Sequence, residues 1–153
     1  MKDFTHIFSN HLINIGFLGW FIAQLLKVIA VFVECKKLDF SRFVGSGGMP
    51  SSHAATMAST STGILYICGF NSVEFALALF FSLIVMYDAA GVRRATGEQA
   101  KILNKIIYDW NIMDEKERIF ELKELIGHTK FQVFLGSVLG IAVALLYIFI
   151  FKI

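Results

Sequence analysis

Two short histidine-bearing segments hold the residue types that could do chemistry in this chain. The first is Gly-Gly-Met-Pro-Ser-Ser-His at residues 47–53, and the second is Gly-His-Thr-Lys-Phe-Gln at residues 127–132. Each lies directly before a long apolar run, so each histidine is predicted to stand where a helix begins. A helix start offers unpaired backbone N–H groups and the positive end of the helix dipole, which together favour an anion. Two such starts, each with a titratable imidazole, predict chemistry on a phosphate at a membrane surface.

Two histidines can divide the work of cleaving a phosphate ester. A neutral imidazole can attack phosphorus and form a phosphohistidine, which water then hydrolyses, while a protonated imidazole donates its proton to the leaving alcohol. Ser51, Ser52 and the N–H groups of glycines such as Gly48 can hold the phosphoryl oxygens. This chemistry needs no metal or other cofactor, and no Cys/His/acid cluster with metal-ligand spacing is visible. A lone interfacial histidine is more often structural, so the prediction depends on two of them occurring in one setting.

The elements that must position these segments are membrane helices. Of the 153 residues 56% are hydrophobic, including 16 Phe, whereas a soluble domain has about 45–50%. A membrane span needs roughly 20 apolar residues. An all-α, single-domain membrane bundle over residues 1–153 is therefore predicted, with no cleaved signal peptide and with free thiols at Cys35 and Cys68. Its four spans are predicted near residues 12–33, 53–70, 73–89 and 133–151.

The basic residues are distributed very unevenly along the chain. Eleven of the 14 lysines and arginines lie in the loops at residues 34–52 and 90–132. The positive-inside rule then places both loops in the cytoplasm and both termini outside. Both histidine segments are thus predicted on one side of the membrane, as a shared site requires.

Three basic positions each have two interpretations. Lys27 lies within the first span, where it either reaches the membrane surface along its own stem or points a cation at the site. Arg93 and Arg94 follow the third span, either as a basic surface anchor or with one of them reaching the phosphate, since guanidinium suits bidentate phosphate binding.

The long basic loop contains two segments with helical apolar spacing. The first runs over residues 98–110, and the second over residues 114–126, with Asp114 as its cap and Gly127 as its end. Both are predicted as amphipathic helices that lie on the cytoplasmic surface or fold over the site.

Small residues in two spans predict close helix packing. Gly136 and Gly140 form a small-xxx-small pattern in the last span, and Ala54 and Ala58 do the same in the second. Packing of these two helices would bring His53 and His128 together.

Three stretches of the chain resemble the divergent PAP2 family. They are residues 47–53, Tyr-Asp-Ala-Ala-Gly-Val-Arg-Arg at 87–94, and Leu-Lys-Glu-Leu-Ile-Gly-His-Thr at 122–129. This membrane family is related to type 2 phosphatidic acid phosphatases and vanadium-dependent haloperoxidases. The resemblance implies a helical bundle in which a P-S-G-H motif binds phosphate and supplies a general acid. An S-R-x5-H-x3-D motif supplies a phosphate-binding arginine, the nucleophilic histidine and an aspartate that orients it.

Carried over by this resemblance, Ser51 becomes a phosphate ligand, His53 the general acid and His128 the nucleophile. Ser52 stands where the first motif has glycine. Gln132 stands where the second has aspartate, so it can orient an imidazole but cannot stabilise an imidazolium by charge.

The motif arginine is missing six residues before the second histidine. Arg93 or Arg94 can substitute for it, and Asp88 can supply the missing carboxylate. Lys27 and Arg42 are candidates for the family's Lys-to-Arg motif.

The expected function is therefore a metal-independent phosphatase acting on a lipid phosphate or a polyprenyl pyrophosphate in the bacterial cytoplasmic membrane. The alternative is a non-catalytic membrane protein that binds anionic lipid headgroups or a partner through the same pocket. A homodimer would complete the bundle, because the superfamily more usually has six spans. Nucleic-acid binding is not expected, since acids balance the basic loops and aromatic residues do not alternate with them.

Overall fold

A computed structural model describes residues 7, 9–36, 47–109, 122–124 and 126–153, and these residues contain helices and no strand. The described helices are α1 (His11–Cys35), α2 (Ser52–Cys68), α3 (Val73–Ala90), α4 (Val92–Asp109) and α5 (Lys130–Phe151). The predicted all-α membrane bundle is confirmed, and each predicted span coincides with a helix to within three residues at either end.

Three of these helices, α1, α3 and α5, are long and apolar enough to cross a membrane. The remaining predicted span, near residues 53–70, corresponds to α2, which has 17 residues. At 1.5 Å per residue it is about 26 Å long, which is short of a bilayer core of about 30 Å. It ends at Gly69, whose N–H donates to the Leu65 carbonyl and whose positive φ of 83° turns the chain into α3.

Helix α2 is the centre of the bundle and packs against α1, α3 and α5. Glycines of α5 lie directly on its backbone: Gly136 contacts the Ser51 carbonyl, and Gly140 contacts the Ala55 carbonyl. A methyl group at either glycine would collide with that backbone. The predicted close packing of these two helices is therefore confirmed.

Helix α1 runs antiparallel to α2 and is also held close by glycines. Gly19 lies against Ser59 near the middle of α2, and Gly63 lies against Leu12 near the start of α1. This register continues to the other end of α2, where it sets Lys27 beside Ser52.

Helix α4 follows α3 after the single residue Gly91 and is the first of the two predicted amphipathic helices. The second prediction is wrong where it can be compared, because residues 122–124 and 126 are not helical. The Asn104 side chain instead donates to the Leu122 carbonyl and accepts from the Leu122 N–H, which holds this segment extended along α4. The proposed cap at Asp114 lies outside the described residues.

Candidate functional site

The first histidine segment is organised by the cap of α2. The Ser51 hydroxyl accepts a hydrogen bond from the Ala54 N–H at 3.3 Å, so the helix begins at Ser52 and His53 lies in its first turn. The Ser51 N–H donates to the Gln132 carbonyl at 3.2 Å. This bond ties the start of α2 to the start of α5.

The second histidine lies just before its helix and not at its start. Thr129 caps α5 in a reciprocal pair of hydrogen bonds: its hydroxyl accepts from the Gln132 N–H, and its own N–H donates to the Gln132 side chain at 3.0 Å. The helix therefore begins at Lys130, two residues later than expected. The backbone N–H of His128 donates to the Ala89 carbonyl at 2.9 Å, which anchors His128 to the end of α3.

The two imidazoles converge at one end of the bundle. The ring centroids of His53 and His128 are 5.9 Å apart, with an angle of 64° between the ring planes. His128 is only 2% exposed, and within the described part of the chain neither of its ring nitrogens has a hydrogen-bond partner. The predicted meeting of the two rings is confirmed. Buried polar atoms normally have partners, so these nitrogens are candidates for contact with a bound ligand.

Burial keeps the His128 ring neutral. It lowers the pKa of His128 from 6.5 to about 4, and the neighbouring charges of Lys27 and His53 act in the same direction. The Gln132 side chain and the Gly48 backbone act in the opposite direction, but neither makes a well-aligned hydrogen bond to the ring. At neutral pH the imidazole therefore has a free lone pair, as a nucleophile needs.

Lys27 places a cation at the base of the site. Its side chain is 3% exposed, and its Nζ donates to the Ser52 hydroxyl at 3.1 Å. Its aliphatic stem runs past Gly48. No carboxylate pairs with Lys27 among the residues described, and an uncompensated buried charge is costly. Of the two interpretations of Lys27, the structure favours a cation directed at the site over one that reaches the surface.

A cavity of about 180 Å³ opens beside His128. Its lining comes from α4, from the segment before α5, from the start of α5 and from the loop before α2. The residues are Gly47, Gly48, Arg94, Glu98, Lys101, Glu124, Ile126, Gly127, His128, Thr129 and Gln132.

Three charged residues of this cavity were not predicted from the sequence as site residues. Glu98 and Lys101 form an ion pair of 3.3 Å on α4, and Glu124 comes from the segment that folds back along that helix. The spacing of Arg94, Glu98 and Lys101 at positions i, i+4 and i+7 was the available signal, because it places them on one helical face. Glu124 had no local signal, since only the fold brings it there.

The two arginines have different positions. Arg94 lines the cavity, whereas the Nε of Arg93 donates to an Asp88 carboxylate oxygen at 2.6 Å in a largely exposed pair. Both members of that pair are close enough to His53 to influence its charge. Asp88 thus lies beside the site but is engaged by Arg93. Arg42 falls outside the described residues.

Gln132 lines the cavity, but its side-chain oxygen accepts the Thr129 N–H. It therefore stabilises the start of α5, and it makes no well-aligned hydrogen bond to the His128 ring. Within the described residues no three His, Cys, Asp or Glu side chains lie close enough together to hold a metal ion.

The chain is similar to a known family and to a bacterial membrane protein. The model of the divergent PAP2 family matches residues 8–143. YuiD of Bacillus subtilis (strain 168), described as an uncharacterized membrane protein, is 41% identical to the chain over 139 residues. The match covers 84% of this chain and 88% of the relative. No solved structure matches the chain.

Proposed function

The chain belongs to the divergent PAP2 family, and we propose that it is a metal-independent membrane phosphatase. Its substrate would be a lipid phosphate or a polyprenyl pyrophosphate, cleaved through a phosphohistidine intermediate. The observation that carries the proposal is the approach of the His53 and His128 rings to 5.9 Å beside the buried Lys27. A neutral imidazole, a second imidazole and a fixed cation are the groups that phosphate transfer needs.

In the first step a ring nitrogen of His128 attacks phosphorus. The N–P bond forms while the bond from phosphorus to the leaving oxygen breaks, and protonated His53 gives its proton to that oxygen. Lys27, Ser52 and the N–H groups at the start of α2 offset the charge on the phosphoryl oxygens. The low pKa of His128 supports this assignment, because its lone pair is free.

In the second step water attacks the phosphohistidine. His53, now neutral, takes a proton from the water as the new O–P bond forms and the N–P bond breaks. Inorganic phosphate then leaves, and His128 is regenerated as a neutral imidazole. His128 is therefore the nucleophile and the carrier of the phosphoryl group in both steps. His53 acts as the general acid in the first step and as the general base in the second.

We place this site at the cytoplasmic face of a bacterial cytoplasmic membrane. The support is the basic character of the loops at residues 34–52 and 90–132, which are proposed to be cytoplasmic with both termini outside. Both histidines lie at the end of the bundle where these loops attach.

One observation favours a second candidate function, the binding of an anionic headgroup without turnover. Gln132 carries no charge and is engaged in the cap of α5, so it supplies no negative charge that could stabilise a His128 imidazolium along the reaction. A binding protein of this kind would show saturable binding of lipid phosphates, no phosphate release, and tolerance of His128→Gln.

The test is phosphate release by purified protein in EDTA. Lipid phosphates and polyprenyl pyrophosphates are the substrates, and His128→Asn is expected to abolish release. The matched control is His11→Asn. His11 lies at the start of α1, at the opposite end of the bundle from the two histidines, and its Nδ1 is 3.1 Å from the Tyr147 hydroxyl. This control should keep wild-type activity.

A second variant tests the division of roles. With an aryl phosphate, whose leaving group needs no acid, His53→Asn should still be phosphorylated but should hydrolyse slowly. Labelled phosphate should then accumulate on the protein in an acid-labile form. Release that survives His128→Asn would remove His128 as the nucleophile, and binding without release in the wild type would establish the second candidate function.

A further inference from the structure

Helix α4 has three faces. One packs on another segment of the chain and one lines the cavity. The first contains Gly97 and Asn104 and packs on the segment at residues 122–126. The second contains Arg94 and Lys101 and lines the cavity beside His128. The catalytic proposal uses only the second face.

The third face of α4 is an exposed apolar stripe. It consists of Val92, Ile102, Leu103 and Ile106, whose exposed fractions lie between 37% and 61%. At 100° per residue these side chains fall within one sector of the helix, with Ile102, Leu103 and Ile106 grouped on adjacent turns and Val92 separated from them by the polar Gln99. Exposed apolar side chains grouped on one helix face are unfavourable in water.

The position of α4 in the chain indicates what covers this stripe. Helix α3 is a membrane-crossing helix whose apolar side chains are largely exposed, and α4 begins after one residue, Gly91. The start of α4 is therefore at the edge of the hydrocarbon region. The helix also carries four basic residues and two acidic ones, a balance that suits an anionic lipid surface.

We propose that the apolar stripe of α4 inserts into the lipid headgroup region, in the leaflet at which α3 ends. The membrane surface is then the partner of this face, and the two basic side chains that flank the stripe, Arg93 and Lys105, contact anionic headgroups. The stripe and the cavity face, represented by Leu103 and Lys101, are about 160° apart on the helix. Insertion of the stripe would hold the cavity at headgroup level with its lining turned away from the hydrocarbon.

The experiment is spin-label accessibility in the full-length protein, reconstituted in liposomes that contain phosphatidylglycerol. Single labels are introduced by Leu103→Cys, by Ile106→Cys and, as the control, by Lys101→Cys. Cys35→Ser and Cys68→Ser remove the native thiols. Labels at positions 103 and 106 should collide several-fold more with oxygen, relative to a water-soluble nickel chelate, than the label at position 101.

Two results would overturn the proposal. Equal nickel access at positions 103 and 101 would show that the stripe faces water. Low access of both reagents at position 103 would show that protein covers it, either another segment of the chain or a second copy. In liposomes of phosphatidylcholine alone, which has no net charge, the stripe should insert less deeply into the membrane. An unchanged insertion depth would refute the role given to the basic side chains. None of these readouts depends on phosphatase activity.

Discussion

Replacement of Lys27 by methionine separates the function of the site from the stability of the fold. Methionine keeps most of the aliphatic stem that runs past Gly48 and removes only the cation. Two unit charges about 4 Å apart interact by about 4 kcal/mol at an effective dielectric constant of about 20. Measured hydrogen bonds to charged groups are weaker, about 1.5–3 kcal/mol. A loss of about 2–4 kcal/mol corresponds to phosphate binding that is roughly 30- to 700-fold weaker.

The same substitution should not weaken the fold in the absence of phosphate. Lys27 is buried without a carboxylate partner in the described part of the chain, and removing such a charge is often neutral or stabilising. Loss of its charged hydrogen bond to Ser52 costs about 1.5–3 kcal/mol against that gain. The free energy of unfolding is therefore expected to be unchanged or higher in Lys27→Met.

The assay combines calorimetric titration with phosphate or vanadate and thermal unfolding in detergent without ligand. Lys36→Met is the matched control, because Lys36 is exposed at the end of α1 and should leave both quantities unchanged. Wild-type phosphate affinity in Lys27→Met would refute the role of Lys27 at the site. A fall of more than about 3 kcal/mol in unfolding free energy, beyond the cost of one charged hydrogen bond, would show that Lys27 is structural.

Two further predictions concern His128 and the arginines. Because the pKa of His128 is about 4 when folded and 6.5 as the reference value, the unfolded chain binds more protons between these pH values. The free energy of unfolding should therefore fall by up to about 3 kcal/mol as the pH drops from 6.5 to 4. Denaturant titrations of His128→Asn should show a weaker pH dependence. An equal pH dependence in both proteins would contradict a lowered pKa of His128. Arg94→Gln, which removes a cation from the cavity beside His128, should weaken phosphate binding by roughly tenfold, whereas Arg93→Gln, which breaks only an exposed ion pair, should change it little. The reverse order would refute a contact between Arg94 and the phosphate.

The parts of the fold that were predictable from the sequence are those that depend on local patterns. Apolar runs set the helix bounds, and the glycines at positions 136 and 140 identified the face of α5 that packs on α2. That packing brings the two histidine segments together, so their convergence followed from the same pattern. The two-residue error at His128 was avoidable, because Thr129 and Gln132 are spaced as a capping box.

The remaining features depend on contacts between distant parts of the chain. The apolar spacing around Leu122 favours a helix, but the Asn104 side chain satisfies the backbone of Leu122 in an extended segment instead. The sequence also does not decide whether Lys27 is buried, because that too depends on a contact between distant parts of the chain. The position of a residue in one helix does not tell which side of that helix a second helix will cover, and only the register with α2 decides it.

The charge of this site differs in origin from that of a histidine backed by a carboxylate. His128 is neutral because it is buried, and the positive charge comes from Lys27, next to the start of α2. Gln132 adds no negative charge that would compete with the phosphate for that cation. Anion binding therefore does not require protonation of His128, and it should persist above pH 6.5, where the imidazole is neutral even without burial. On the proposed mechanism, a glutamine at position 132 cannot stabilise the imidazolium by charge, so we expect it to slow the chemical step more than it weakens phosphate binding.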